Sequence, residues 1–160
     1  MAVAARWIRL HSDGLPAMQT ACTAFARTQP PDASPAALWA CIEGGRHALA
    51  IVASLKHLPG RRTRWRSWAL APLVATYRQR GLSAYFDADR ICLSGQPITG
   101  VSAEEVGASA LVVMDFTAWG TEFMDVLRLR VEAQYGWQFD SAWPTGAERA
   151  AIEGRLLISG

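Results

Sequence analysis

The sequence predicts an α+β domain, mixed α/β in its element order, in which helices cover a largely antiparallel sheet. Short apolar runs of period two alternate with segments of helical period, and their order reads strand, helix, hairpin, helix, meander, helix. The 160 residues suit a single domain spanning 1–160, and 51% hydrophobic with 19% charged side chains is a globular balance. A chain of about that length buries roughly 70% of its unfolded surface, enough for a real core. Apolar runs stay far short of the roughly 20 residues that a membrane span needs, and the start lacks a secretory apolar region. A cytoplasmic protein without membrane contact is expected.

The first strand is Arg6-Trp7-Ile8-Arg9-Leu10-His11, where polar and apolar side chains alternate. Asp13-Gly14 turns the chain, and Pro16 opens a helix, since its missing N–H has no partner in a first turn. Met18, Cys22, Phe25 and Ala26 form its apolar stripe, and the helix should end near Thr28. The three prolines of residues 29–35 make a loop. Residues 38–42 and 48–53 read as a strand pair turning through Glu43–Arg46, the second strand apolar enough to be central.

Leu70, Leu73, Val74 and Tyr77 predict a helix from about Trp68 to Arg80, with Gly81 as a left-handed cap. Strands follow at 83–87, 90–93 and 98–102, with Ser94-Gly95-Gln96-Pro97 as the tight connection between the last two, and a buried strand at 110–116. A helix spans 121–134, capped by Thr121 and closed by Tyr135-Gly136-Trp137; Asp125 with Arg128, and Arg128 with Glu132, make exposed pairs along it. The last helix starts at Thr145, three positions before Glu148 in a capping-box pattern, and runs to about Leu157.

Net charge is +2, and Lys56 is the only lysine. The remaining basic charge is arginine, much of it at Arg61, Arg62, Arg64 and Arg66, so the surface is basic locally and not globally. Interleaved Trp65 and Trp68 make this segment either a nucleic-acid clamp or, more economically, an arginine–tryptophan docking surface for another protein subunit. One patch on so weakly charged a chain disfavours nucleic acid. The Ala/Arg-rich, lysine-poor composition is the kind that GC-rich bacterial genomes give.

Cys22, Cys41 and Cys92 are odd in number and widely spaced, so neither a disulfide framework nor a zinc ribbon is signalled. His11, His47 and His57 lie at separate strand ends without ligand spacing, so no metal site is expected. Asp87 and Asp89 read either as a turn or as a magnesium pair, and Glu104-Glu105 as a solvated hairpin end. No dinucleotide, Walker or nucleophile-elbow motif is present.

Residues 6–14 followed by a helix, the Leu38-Trp39 strand, Arg78–Ala84, and above all Asp89-Arg90-Ile91-Cys92-Leu93-Ser94-Gly95-Gln96-Pro97-Ile98-Thr99-Gly100 resemble the lipoate–protein ligase and octanoyltransferase family, with its class II synthetase-like fold. The resemblance implies that the Gly95, Gln96, Pro97, Gly100 hairpin occupies the place of the family's lysine-bearing turn, whose ammonium meets the acyl-adenylate. Here Pro97 stands in that register and carries no charge. The family's Arg-Arg and triple-glycine loop is replaced by Arg61-Arg62-Thr63-Arg64-Trp65-Arg66, which keeps arginines without the glycines that let backbone N–H groups reach a phosphate. Members are commonly longer, so the segment between the third strand and the next helix looks deleted.

These departures imply a ligase-like fold without ligase activity or cofactor, acting as a binding, scaffolding or accessory subunit. The alternative is an acyl or lipoyl transfer protein with a reduced site, partnered by a lipoyl or acyl carrier protein. Its candidate residues are Lys56, in a substituted role, and Cys92 beside the hairpin. Cys92 alternating with Ile91 and Leu93 reads equally as a buried structural cysteine.

Overall fold

Strand β3 (Arg46–Ser54) divides its side chains between two cores: Leu49, Ile51 and Ala53 enter one, and Ala48, Ala50 and Val52 the other. Its partner β8 (Ser109–Thr117) does the same, with Val112, Met114 and Phe116 on one face and Leu111 and Val113 on the other. A strand apolar on both faces needs cover on both, and four helices supply it. The computed structural model describes residues 2–119 and 122–159, so Thr121 and its expected capping role lie outside the described residues.

The main sheet has the order β7 (Thr99–Val106), β8, β3, β2 (Ala36–Cys41), β1 (Val3–Arg9), β9 (Trp137–Ala142). The pairings β7–β8, β8–β3 and β3–β2 are antiparallel; β2–β1 and β1–β9 are parallel. Helices α2 (Trp65–Gln79) and α3 (Phe123–Tyr135) cover the face of Leu49 and Phe116, while α1 (Leu15–Arg27) and α4 (Gly146–Ser159) cover that of Ala50 and Val113. A small antiparallel sheet of β4 (Tyr85–Asp87), β5 (Arg90–Leu93) and β6 (Gln96–Pro97) leads into β7. The largely antiparallel α+β architecture is therefore present, with one unexpected element. Trp137–Ala142 is a strand at the edge of the sheet, with Trp137 and Phe139 turned inward and Gln138 and Asp140 outside.

Helix α1 holds Pro16 in its first turn and carries its buried stripe through Met18, Cys22, Phe25 and Ala26 to a cap at Thr28. Burial pushes the Cys22 thiol up to about 12, so it remains protonated. The Thr145–Glu148 capping box closes as its spacing implies, with the Thr145 N–H donating to Glu148 Oε1 at 2.8 Å and the Glu148 N–H to Thr145 Oγ1 at 3.2 Å. Gly81 (φ 84°) and Gly136 (φ 70°) take the left-handed conformation just past α2 and α3.

Two local expectations are corrected. Arg128 does not make the expected helix-surface pairs; it donates to Phe139 O at 3.0 Å and Ser141 Oγ at 2.9 Å, while Glu132 Oε2 accepts the Phe139 N–H at 2.7 Å. The two side chains occupy the outward backbone groups of edge strand β9, which outcompete a solvated ion pair. Helix α2 also starts at Trp65, three residues before Trp68, because residues 62–64 form a 3₁₀ turn that feeds into it. Pro72, inside α2, leaves the Trp68 carbonyl without its helical donor, and the buried Tyr135 hydroxyl supplies one at 3.0 Å.

Candidate functional site

Ser94 (φ 53°) and Gly95 (φ 77°) form the two-residue turn between β5 and β6, with Leu93 and Gln96 paired across its base. Two left-handed residues are the geometry of a type I′ hairpin. Gln96 and Pro97 therefore belong to β6, not to the tight connection itself. Pro97 is exposed and lies opposite Cys92, and β6 is an edge strand, where a residue without an N–H is tolerated. Cys92 is 3% exposed within β5, which fits the structural reading of its thiol.

Register places Lys56 far from this hairpin. Ser54 pairs with Ser109 at one end of β8, and Lys56 follows in an exposed 3₁₀ turn; Thr99, two residues after Pro97, pairs with Phe116 near the other end. Those two β8 positions are seven residues apart, about 23 Å at roughly 3.3 Å per residue. The nearer cation is Arg46, whose Nη2 donates to Asp115 Oδ2 at 2.7 Å and to Ile98 O at 3.4 Å. Gly100 lies opposite Asp115, whose carboxylate fills the space that a Cβ there would occupy.

Arg61, Arg62, Arg64 and Arg66 are exposed around the 3₁₀ turn. Arg66 pairs with Asp89 at 3.4 Å and Arg90 with Asp87 at 3.7 Å, so Asp87 and Asp89 flank the β4–β5 turn and face arginines. Arg62, Arg66 and Asp89 line an open cleft of about 330 Å³. Trp65 does not join this surface: it is 4% exposed, its indole N–H donates to Pro59 O at 2.9 Å, and the Arg62 guanidinium caps the ring at 5.8 Å. Opening α2 on its inward face puts the ring into the core. Trp68 is half-buried and stacks on Tyr135 at 4.0 Å. Of the six residues expected to form a docking surface, the four arginines are exposed, Trp68 is half-buried and Trp65 is buried.

A second constellation, missed in the sequence, lies on the α2/α3 face. Trp7, Trp39, Arg9 and Arg128 line a cleft of about 300 Å³. The Arg9 guanidinium lies 4.6 Å from the Trp39 ring, and that of Arg128 lies 5.5 Å from the Trp7 ring. His47 stacks between Trp39 and Phe116, accepts the Trp39 indole N–H at 3.0 Å on Nδ1, and lies 3.7 Å from the Sγ of exposed Cys41. Burial and the Arg9 charge lower the His47 pKa, favouring the neutral ring. The signal available was the side-chain alternation of β1 and β2, which puts Trp7 with Arg9, and Trp39 with Cys41, on common faces. Among the described residues, no group of three or more His, Cys, Asp and Glu is placed to hold a metal ion, and no helix is long and apolar enough to cross a membrane.

The fold is that of lipoate and biotin ligases. The chain is similar to a bi-partite lipoate protein ligase from Thermoplasma acidophilum, described with its E2 lipoyl domain, at a TM-score of 0.81 and 11% identity over 95% of this chain and 91% of that one. It is similar to LipL1 of P. falciparum in complex with lipoate, at 0.70 and 6% identity over 96% and 70%, and to the biotin protein ligase of Aquifex aeolicus, at 0.59 and 11% over 84% and 70%. No protein-family model matches the chain, and no curated relative matches it in sequence.

Proposed function

We propose that this chain is a non-catalytic protein of the lipoate-ligase fold that serves as a binding or accessory subunit of a cytoplasmic protein assembly. One observation carries the reading: the hairpin that the family resemblance matches to a lysine-bearing turn presents Pro97, and the only lysine, Lys56, lies at the far end of β8. Charge developing on a transferring group needs such a cation held in place, and its loss typically costs a few kcal/mol of barrier, or orders of magnitude in rate. What remains available is surface. The exposed arginines 61, 62, 64 and 66 form the docking face, and arginine is among the residues enriched where partners bury surface. The similar Thermoplasma ligase is described with its lipoyl domain, which makes a carrier domain of that kind one partner class to test.

A tagged chain and an Arg62→Glu/Arg64→Glu variant, used as baits in cells of the source organism, test this reading. The wild type retains a stoichiometric partner and the variant loses it at unchanged folding; retention by both removes the arginine face. The second reading, acyl or lipoyl transfer, is favoured by the Trp7/Trp39 cleft with Cys41 beside His47. It requires labelling of a carrier protein from an acyl donor, lost in Cys41→Ser.

A further inference from the structure

The two edges of the six-stranded sheet are finished differently. At β9, the Arg128 and Glu132 side chains occupy the outward backbone groups of Phe139. At β7 the strand pairs with β8 in unbroken register from Val106–Ser109 to Thr99–Phe116, across the two-residue turn Gly107-Ala108. Such a turn makes Val106 and Ser109 a hydrogen-bonded pair, and the pattern alternates from there. Glu104, Ser102 and Gly100 therefore bond to β8, while Glu105, Ala103 and Val101 direct their N–H and C=O groups outward. Among the described residues, no backbone group outside the sheet bonds to those three. An edge left in this state is a template for another strand.

Clefts run along both sides of this edge. One of about 330 Å³ joins Arg62, Arg66 and Asp89 to Ala103, and another of about 300 Å³ passes over the strand from Gln19 and Thr23 of α1 to Arg66. Register sorts the β7 side chains between them. Val101 and Ala103 lie opposite Met114 and Val112, on the α2 side, and Ser102 and Glu104 lie opposite Val113 and Leu111, on the α1 side. A strand laid against β7 puts alternate side chains on those two sides.

The α2 side selects for negative charge. Arg66 pairs with Asp89 at 3.4 Å with both side chains half-exposed, a contact that holds weakly. The Arg62 guanidinium lies over the Trp65 ring, and a guanidinium stacked this way keeps its edge N–H groups for a carboxylate. Arg61 and Arg64 add two further exposed charges. The hairpin end is opposite in sign, since Glu104 and Glu105 are exposed there. An antiparallel strand is therefore matched by carboxylates opposite Val101 and Ala103 and by a cation opposite Glu105.

We propose that β7 is a docking edge to which a partner protein adds an extended antiparallel strand, with acidic side chains at alternate positions over Arg62 and Arg66. The proposal rests on the reading of the arginines as a docking face and names how the partner engages it. A second copy of this chain fits less well, because a two-fold axis through Ala103 brings two arginine clusters together on one side of the joined sheet.

The test is an NMR titration of the full chain, read at its backbone amides, with the hexapeptide Lys-Thr-Glu-Thr-Glu-Thr and its block isomer Lys-Glu-Glu-Thr-Thr-Thr. The alternating peptide is expected to give saturable shifts at Val101, Ala103 and Glu105 and to bind at least about tenfold more tightly than the isomer. N-methylation of its glutamates, whose N–H groups face β7, should abolish binding, while N-methylation of its threonines should leave it intact. Arg66→Glu should weaken binding by at least about tenfold. Ala103→Pro removes an outward N–H, which an edge strand tolerates, and should abolish binding with folding checked by thermal unfolding. No saturable binding of the alternating peptide, equal affinity for the two isomers, indifference to glutamate N-methylation, or an unchanged affinity in Arg66→Glu would overturn strand addition. Self-association that Ala103→Pro abolishes, without peptide binding, would give the edge to a second copy instead. If the Arg62→Glu/Arg64→Glu bait loses its partner while no peptide binds, the arginine face stands and strand addition falls.

Discussion

Gly100 and Asp115 face each other across β7 and β8, and the Asp115 carboxylate fills the space that any side chain at position 100 would need. The same carboxylate accepts from Arg46 Nε at 3.2 Å and Nη2 at 2.7 Å, and Arg46 reaches on to Ile98 O beside the hairpin. Gly100 therefore has a purpose that involves no chemistry: it admits the ion pair that braces the hairpin. Gly100→Ala is expected to push the carboxylate off Arg46 and to destabilise the fold by about 1–2 kcal/mol in urea unfolding. Combined with Arg46→Ala, the loss should be less than additive.

The Tyr135 hydroxyl serves the acceptor that Pro72 leaves open. Tyr135→Phe should cost about 1–3 kcal/mol, the penalty of a buried carbonyl without a donor. On a Pro72→Ala background, where the helix restores its own N–H, the same change should cost much less. A double-mutant cycle in denaturant measures the difference.

Glu148 makes stability depend on acid. Burial pushes its carboxyl up, but hydrogen bonds from Arg6, the Thr145 N–H and Gln29, together with the Arg6 charge, outweigh this and hold it at about 2 against an ordinary 4.5. The folded state therefore binds the proton more weakly than the unfolded state. The resulting stabilisation, about 3 kcal/mol, is fully present above pH 4.5 and is lost as pH falls through that value towards 2. Urea midpoints measured across this range should fall steeply in the wild type and more gently in Glu148→Gln.

Trp65 and Arg62 separate core from surface within one turn. Trp65→Ala should destabilise by about 3–5 kcal/mol, since it empties a buried site and orphans Pro59 O. Arg62→Ala should stay within about 0.5 kcal/mol, and urea unfolding of the two variants measures the contrast.

What could be read from the chain was what nearest neighbours decide. The α1 stripe, the capping box at Thr145, the central position of β3 and the left-handed cap at Gly81 all rest on spacings of a few residues, and the fold keeps them. The misses came from partners distant in sequence. Trp137-Gln138-Phe139-Asp140 carried a period-two strand signal, but its partner β1 lies more than a hundred residues earlier. Arg128 and Glu132 had helical spacing for each other and found a strand edge instead. Trp65 looked like surface because arginines surround it, and only the start of α2 shows which way the ring points. The separation of Lys56 from Pro97 is a matter of sheet register, which no local pattern contains.

The most direct measurement is ATP–pyrophosphate exchange by the purified chain with lipoate, octanoate or biotin as the acyl substrate. With Pro97 in the hairpin and Lys56 at the far end of β8, the expected result is no exchange above the protein-free rate for any of the three. Exchange that depends on one of these acids and disappears in Lys56→Ala would contradict the account.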